Sequence, residues 1–126
     1  MNRILVVDDE ANIRLLYAAE LAEEGYHVSS AASISEAMEK LAASPFDLMV
    51  LDIKLKNESG IDLLQRVVKE HHDIPVILCS AFSYYKDDFS AWLADGYVVK
   101  SGDLTELKQE IAKALAKKAL RARSSI

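Results

Sequence analysis

The sequence is poor in cysteine, has no long hydrophobic run and carries no excess of basic residues. Cys79 is the single cysteine, so it cannot form an internal disulfide, and we expect a reducing, cytoplasmic location. No stretch approaches the roughly 20 apolar residues that a membrane-spanning helix requires. The net charge of −5 argues against nucleic acid as a direct partner, because phosphate binding requires a basic surface. We therefore expect neither a membrane protein nor a nucleic-acid-binding one.

The length and composition fit one globular domain. The chain has 126 residues, of which 51% are hydrophobic and 28% are charged. We expect this domain to cover residues 1–120 and a short tail to cover 121–126. The residues after Leu115 are too few to form a second domain. Both a stand-alone protein and a segment of a longer protein are compatible with this length.

The most informative segment is Asp47-Leu48-Met49-Val50-Leu51-Asp52, in which a run of large apolar residues ends on a carboxylate. A continuous apolar run, without helical period or polar alternation, predicts a strand that is covered on both faces. A carboxylate where such a strand leaves the core is costly to bury unless a charge partner or a metal ion meets it. We therefore expect the chemistry of the protein at Asp52.

Apolar, β-rich segments alternate with segments of helical periodicity along the chain. Strands are predicted over 4–7, 26–31, 46–51, 74–79 and 97–99, and the second, more polar strand is expected at an edge. Helices are predicted over 12–24, around 37–41, over 60–68, over 84–93 and after 103 or 105. Strands that alternate with helices of this length predict a parallel sheet with helices on both faces.

The ends of the helices carry recognisable signals. Gly25 is placed to end the first helix, and Ser33 or Ser35 can cap the second. The polar segment from Lys54 to Ser59 is predicted to be a loop. The apolar face of the last helix is predicted to consist of Leu104, Leu107, Ile111 and Leu115, with Leu120 as a further candidate.

Polar or charged residues stand at the ends of four of the five predicted strands: Asp8 and Asp9, Asp52, Ser80 and Lys100. In a parallel α/β sheet these ends share one edge, where ligands bind. Carboxylates brought together repel one another unless a cation lies among them, and hard oxygen ligands suit Mg²⁺. A lysine and a hydroxyl are suitable donors to phosphoryl oxygens, and an aspartate can accept a phosphoryl group covalently. This pattern predicts phosphoryl chemistry at Asp52.

The same residues resemble the receiver domain of two-component response regulators. The match lies in the acids of Val6-Val7-Asp8-Asp9-Glu10, Asp52 after Met49-Val50-Leu51, Gly60, Ser80-Ala81, and Tyr97 shortly before Lys100. It extends from about Ile4 to Leu115. The resemblance implies an α/β, flavodoxin-like (βα)5 fold, that is, a doubly wound five-stranded parallel sheet with strand order 2-1-3-4-5.

The resemblance also implies a function for the acidic edge. Asp52 would accept a phosphoryl group from a histidine kinase or a histidine phosphotransfer protein. Asp9 and Asp52 would bind Mg²⁺ directly, together with the backbone carbonyl of Lys54, and Asp8 would act largely through water. The domain would promote its own Mg²⁺-dependent phosphorylation and dephosphorylation, and it would have no other enzymatic activity.

Three further residues would respond to the phosphoryl group, and two of them, Ser80 and Tyr97, would form the switch. Ser80 would turn toward the phosphoryl group, Lys100 would pair with it, and Tyr97 would swing inward and alter the outer surface. We expect a downstream protein to bind the region from Tyr84 to Tyr97 and the last helix, and a phosphorylation-dependent dimer is compatible with this surface. Six of the nine aromatic residues lie between Phe82 and Tyr97: Phe82, Tyr84, Tyr85, Phe89, Trp92 and Tyr97. They form either a docking face or an aromatic core under a shortened helix.

The chain departs from the family pattern at three places, and one of them is Lys56, which stands where a proline is common after the phosphorylation site. Ser101 follows Lys100 where the family usually has a proline after a cis peptide bond, so this bond is either a strained cis bond or trans. The interval from Ser80 to Lys100 is about two residues shorter than usual. This interval is the segment that normally carries the output surface.

Three other functions are compatible with parts of the pattern. A constitutive, unphosphorylated binding module is compatible with the altered loop after Lys100. A Mg²⁺-dependent phosphohydrolase of the haloacid dehalogenase type would use Asp52 as nucleophile, but Lys54 stands where its second aspartate is needed. An FMN-binding flavodoxin-like protein is disfavoured, because the acids at residues 8–10 would repel the FMN phosphate.

Overall fold

Strands and helices alternate along the chain, and the computed structural model describes residues 2–81 and 93–124. The elements are β1 (Arg3–Val7), α1 (Ala11–Glu23), β2 (His27–Ala31), α2 (Ile34–Ala43), β3 (Leu48–Asp52), β4 (Lys54–Leu55), β5 (Glu58–Ser59), α3 (Gly60–Glu70), β6 (Val76–Ser80), β7 (Gly96–Val99) and α4 (Thr105–Ser124). No helix within these two ranges is long and apolar enough to cross a membrane. The helix predicted over 84–93, apart from its last residue, and five of the six clustered aromatic residues lie outside the described residues.

The main sheet has five parallel strands in the order β2-β1-β3-β6-β7. This is the predicted order 2-1-3-4-5 once the two short strands β4 and β5 are counted, so the fold prediction is confirmed. The polar strand β2 lies at an edge, as expected. The central strand β3 pairs with β1 and β6, and all five of its residues are buried.

Helices cover both faces of the sheet and enclose two separate apolar clusters. Successive side chains of β3 point to opposite faces, with Met49 and Leu51 in one cluster and Leu48 and Val50 in the other. The first cluster is covered by α2 and α3, and the second is covered by α1 and α4. The continuous apolar run of β3 is therefore explained by burial on both faces.

The helix ends follow the local signals in the sequence. Ser33, and not Ser35, is the N-cap of α2, and its Oγ accepts a hydrogen bond from the N–H of Glu36 at 3.1 Å. At the start of α4, Asp103 Oδ1 accepts from the N–H of Thr105 at 2.9 Å. Gly25 follows α1 with a φ of 92°, which glycine adopts without strain.

Two predictions about local structure were wrong. Leu120 is 62% exposed, whereas Leu107 and Ile111 on the same helix are buried, so the apolar contact of α4 ends before Leu120. The segment predicted as a loop over 54–59 is an antiparallel hairpin, in which Lys54 pairs with Ser59. This hairpin is compatible with the sequence because Leu55 is buried and Asn57 adopts a φ of 60°, which asparagine tolerates.

Candidate functional site

The predicted site residues lie at the carboxyl edge of the sheet, where consecutive strands end. Asp8 directly follows β1, Asp52 is the last residue of β3, and Ser80 is the last residue of β6. Lys100 directly follows β7, whose Val99 pairs with Ser80. The edge is therefore built by strand pairing.

Lys100 joins two of these strand ends through a pair of short contacts. Its Nζ lies 2.8 Å from Asp8 Oδ2 and 3.0 Å from Asp52 Oδ2. Both carboxylates are buried, with 2% of Asp8 and 6% of Asp52 exposed. A buried carboxylate without a cation is strongly destabilising, so Lys100 stabilises the folded edge.

Burial and charge pairing oppose each other in this cluster. Burial alone would lower the pKa of Lys100, but the hydrogen bonds to Asp8 and Asp52 raise its pKa above the ordinary value, so Lys100 stays protonated. Burial raises the pKa of Asp52, while Lys100 and the N–H of Lys54 oppose that rise. Ionisation of Asp52 therefore lowers the free energy of unfolding.

Three carboxylates are close enough to bind one metal ion together. Asp8, Asp9 and Asp52 can each supply one oxygen, and these atoms all lie within 4.8 Å of one another. A compact set of hard oxygen donors with negative charge fits Mg²⁺. Lys54, whose backbone carbonyl is the fourth predicted ligand, is attached to the same cluster, because its N–H donates to Asp52 Oδ1 at 3.3 Å.

Gly60 allows α3 to begin directly against this site. A Cβ atom at this position would lie 2.0 Å from the backbone oxygen of Asp52 and 2.9 Å from Cα of Ile53. The N–H of Gly60 donates to the carbonyl oxygen of Ile53. The close approach of these two backbones explains why a residue without a side chain stands here.

The two predicted switch residues lie on adjacent strands. Ser80 is buried, and its carbonyl oxygen accepts a hydrogen bond from the N–H of Lys100 at 2.7 Å. Tyr97 is half-buried and packs against the cluster beneath α2 and α3. The described residues contain no cis peptide bond, so the bond between Lys100 and Ser101 is trans.

Two contacts behind the site were not predicted from the sequence. Arg14, in the first turn of α1, donates from Nη1 to the carbonyl oxygen of Asp8 at 2.7 Å. Tyr17 and Cys79 share a buried hydrogen bond of 3.4 Å, and burial raises the pKa of both groups. Cys79 was expected to be a small core residue, and it is buried. Helical spacing places Arg14 and Tyr17 on α1, but no sequence signal specifies their partners.

We expect Asp52→Asn to raise the melting temperature of the metal-free protein by several degrees. The folded-state pKa of Asp52 is raised, so the ionised side chain destabilises the fold above that pKa, and the penalty disappears as pH falls below the unfolded-state pKa. Asparagine removes this penalty. The gain should be largest near neutral pH and should shrink in acid.

Thermal unfolding in a metal chelator at several pH values measures this gain. Asp73→Asn, which changes an exposed aspartate outside the site, provides the control. Equal effects of both substitutions, or a gain that grows in acid, would contradict the interpretation.

The strand order, the helices on both faces and the carboxylate-rich edge define a flavodoxin-like α/β domain. Comparison with known proteins then assigns the family. The family model described as "Response regulator receiver domain" matches residues 4–112. The chain belongs to the response regulator receiver domain family. It is therefore a regulatory domain of two-component signal transduction and not a classical enzyme.

Similar proteins include both full regulators and single receivers. Response regulator RR06 of Streptococcus pneumoniae is 44% identical over 95 residues, which are 68% of this chain and 43% of that protein. PilR of Pseudomonas aeruginosa is 35% identical over 115 residues, 90% of this chain and 26% of that protein. This chain thus spans less than half of either relative.

A solved structure of similar length provides a further comparison. Response regulator TrrA of Thermotoga maritima, in complex with Mg²⁺–BeF, is 45% identical. It covers 90% of this chain and 99% of its own, with a TM-score of 0.87. TrrA has also been solved in complex with the histidine kinase ThkA.

Proposed function

We propose that this chain is a phosphorylation-switched signalling receiver, in which Asp52 accepts a phosphoryl group from a histidine kinase or a histidine phosphotransfer protein. The observation that carries the proposal is the position of Asp52. Its carboxylate is buried at the carboxyl edge of the sheet, 3.0 Å from the ammonium group of Lys100, and close to the oxygens of Asp8 and Asp9.

The transfer is a displacement at phosphorus. A carboxylate oxygen of Asp52 forms a bond to phosphorus, and the bond between phosphorus and the donor's imidazole nitrogen breaks. The donor histidine leaves with the electron pair of that bond. Lys100 then offers its N–H groups to the new phosphoryl oxygens, and the hydroxyl of Ser80 donates to another of them.

We assign the metal to the acids beside Asp52. Asp9, Asp52 and the backbone carbonyl of Lys54 would hold Mg²⁺ directly, and Asp8 would act largely through water. When bound, Mg²⁺ supplies positive charge that offsets the negative charge of the transferred phosphoryl group. The Mg²⁺–BeF complex of the 45% identical TrrA supports this assignment.

The start of α1 is the proposed contact for the phosphoryl donor. Leu15 is 71% exposed and Leu16 is 42% exposed, and both lie within two turns of the acidic edge. Exposed apolar side chains next to a reactive group favour a protein partner over a small substrate. The complex of TrrA with the histidine kinase ThkA supports a kinase as that partner.

The output would pass through Ser80 and Tyr97. In the proposed switch, Ser80 moves toward the phosphoryl group and Tyr97, which is half-buried, moves further inward. A downstream protein or a second copy would then bind α4 and the region from Tyr84 to Tyr97, of which residues 84–92 lie outside the described residues. We place this receiver, as residues 1–120 with a short tail over 121–126, in the cytoplasm.

The proposed reaction makes the domain a catalyst of its own modification only. It would take a phosphoryl group and later lose it by hydrolysis, both with Mg²⁺. The comparisons give no support to a constitutive, unphosphorylated module, and family membership does not favour the phosphohydrolase alternative.

Intact-mass analysis tests the proposal directly. The wild type, incubated with Mg²⁺ and acetyl phosphate, should gain the mass of one phosphoryl group. Asp52→Asn and a sample in chelator should gain none, whereas Asp73→Asn should behave like the wild type. An unmodified wild type, or an adduct that persists in Asp52→Asn, would refute Asp52 as the acceptor.

A further inference from the structure

Glu58 connects the loop after Asp52 to the start of α2. Its Oε1 accepts a hydrogen bond from the N–H of Ile34 at 3.2 Å. Ile34 is the first residue of α2, and its N–H has no acceptor within the helix. Ser33, the N-cap, accepts from the N–H of Glu36 instead. Two side chains therefore cap the start of α2: Ser33, which directly precedes the helix, and Glu58, which lies in the hairpin.

This contact is favourable in charge as well as in geometry. The start of a helix carries partial positive charge, which favours a carboxylate such as that of Glu58. Glu58 pairs with Leu55 in the hairpin, and the side chain of Leu55 is buried. The next pair of the same hairpin joins Lys54 to Ser59. Glu58 thus links the hairpin, which contains Lys54, to the start of α2.

The start of α2 is itself attached to the acidic edge. The N–H of Asp8 donates to the carbonyl oxygen of Ala31, the last residue of β2, at 3.1 Å. Only two residues separate Ala31 from Ile34. On the other side, the N–H of Lys54 donates to Asp52 Oδ1. The contact of Glu58 therefore completes a path from Asp8 to Asp52 that consists of three hydrogen bonds and the short chain segments between them.

We propose that Glu58 is a positioning residue for Mg²⁺ binding. By completing this path, Glu58 fixes the hairpin, and with it the backbone of Lys54, relative to the carboxylates of Asp8 and Asp9. Glu58 does not touch the metal. The inference rests on the proposed function, because it takes those carboxylates and the Lys54 carbonyl as the metal ligands.

The experiment is calorimetric titration of Mg²⁺ into the folded chain, well below its melting temperature. Glu58→Ala should weaken Mg²⁺ binding by about threefold to tenfold, which is the net contribution of one ordinary, solvent-exposed hydrogen bond. Glu58→Gln keeps an acceptor for the N–H of Ile34, so it should recover most of the affinity. Amide hydrogen exchange at Lys54 and Ser59 should speed up in Glu58→Ala.

Ser33→Ala is the matched control, because it removes the other cap of α2 without touching the hairpin. It should lower the melting temperature as Glu58→Ala does, yet leave the affinity for Mg²⁺ within about twofold of the wild type. Equal weakening by Ser33→Ala and Glu58→Ala would overturn the inference, because the effect would then come from α2 alone.

Two further outcomes separate this inference from the proposed function. A wild type that binds Mg²⁺, with Glu58→Ala binding equally well, would overturn the role of Glu58 and leave the metal site intact. A wild type that binds no Mg²⁺ would overturn the metal assignment and the positioning role together.

Discussion

Replacement of Lys100 by methionine is expected to lower the free energy of unfolding by about 3 to 5 kcal/mol in metal-free buffer near neutral pH. The substitution keeps most of the side-chain volume but leaves the buried carboxylates of Asp8 and Asp52 without their cation. The raised pKa of Lys100 keeps this stabilisation in full below its unfolded-state pKa, and the stabilisation is lost only as pH rises through the folded-state value. Chemical denaturation in chelator measures the loss.

Lys108 offers a matched control, since it also lies between two carboxylates. Its Nζ is 3.5 Å from Glu20 and 3.4 Å from Glu24, but those side chains are 36% and 47% exposed. Solvent screens such pairs, so Lys108→Met should cost far less stability than Lys100→Met. Saturating Mg²⁺ should recover part of the loss in Lys100→Met, because it returns positive charge to the acids. Equal losses for the two lysines, or no recovery with Mg²⁺, would contradict the role given to Lys100.

Replacement of Gly60 by alanine is expected to destabilise the fold by about 3 kcal/mol. The new methyl group would lie 2.0 Å from the backbone oxygen of Asp52, and a backbone atom cannot swing aside as the end of a side chain can. Relief requires α3 or the end of β3 to shift. Because Asp52 belongs to the site, Mg²⁺ binding should weaken along with stability. Denaturant unfolding and calorimetric titration measure the two effects.

Two other glycines calibrate this prediction. Gly102 has open space around its Cβ position, so Gly102→Ala should change stability by less than about 0.5 kcal/mol. Gly25 also has open space but adopts a φ of 92°, so Gly25→Ala should cost about 1 kcal/mol through backbone strain alone. A cost for Gly60→Ala no larger than that for Gly25→Ala would show that the close approach to Asp52 is easily relieved.

The fold was predictable because most strands are continuous apolar runs that end at a polar or charged residue. The apolar run of β3 indicated a strand buried on both faces, and its terminal Asp52 marked the edge of the sheet. The carboxyl ends of parallel strands lie at one edge of the sheet. The sequence alone therefore predicted that Asp8 and Lys100 lie near Asp52. The edge position of β2 followed in the same way from its polar composition.

Other features depend on tertiary geometry that no local pattern contains. The apolar period of α4 predicts which face of the helix is buried, but it does not predict where the sheet beneath the helix ends. Leu120 was therefore wrongly predicted to belong to the buried face. The contact of Glu58 with Ile34 joins two surface segments, and neither residue type signals the other. The sequence suggested Lys100 as a partner for a phosphoryl group, and its simultaneous contact with Asp8 and Asp52 emerged only from the structure.

The bridge made by Lys100 also has a consequence for synthesis of the chain. Lys100 follows Asp52 by 48 residues, an interval that a ribosome translates in roughly 2 to 10 s. During that interval Asp8 and Asp52 have both been made, but their cation has not. A nascent chain that paired β1 with β3 early would have to hold both acids hydrated or protonated. The residue that directly follows β7 therefore supplies the charge that stabilises the acids at the ends of two strands made before it.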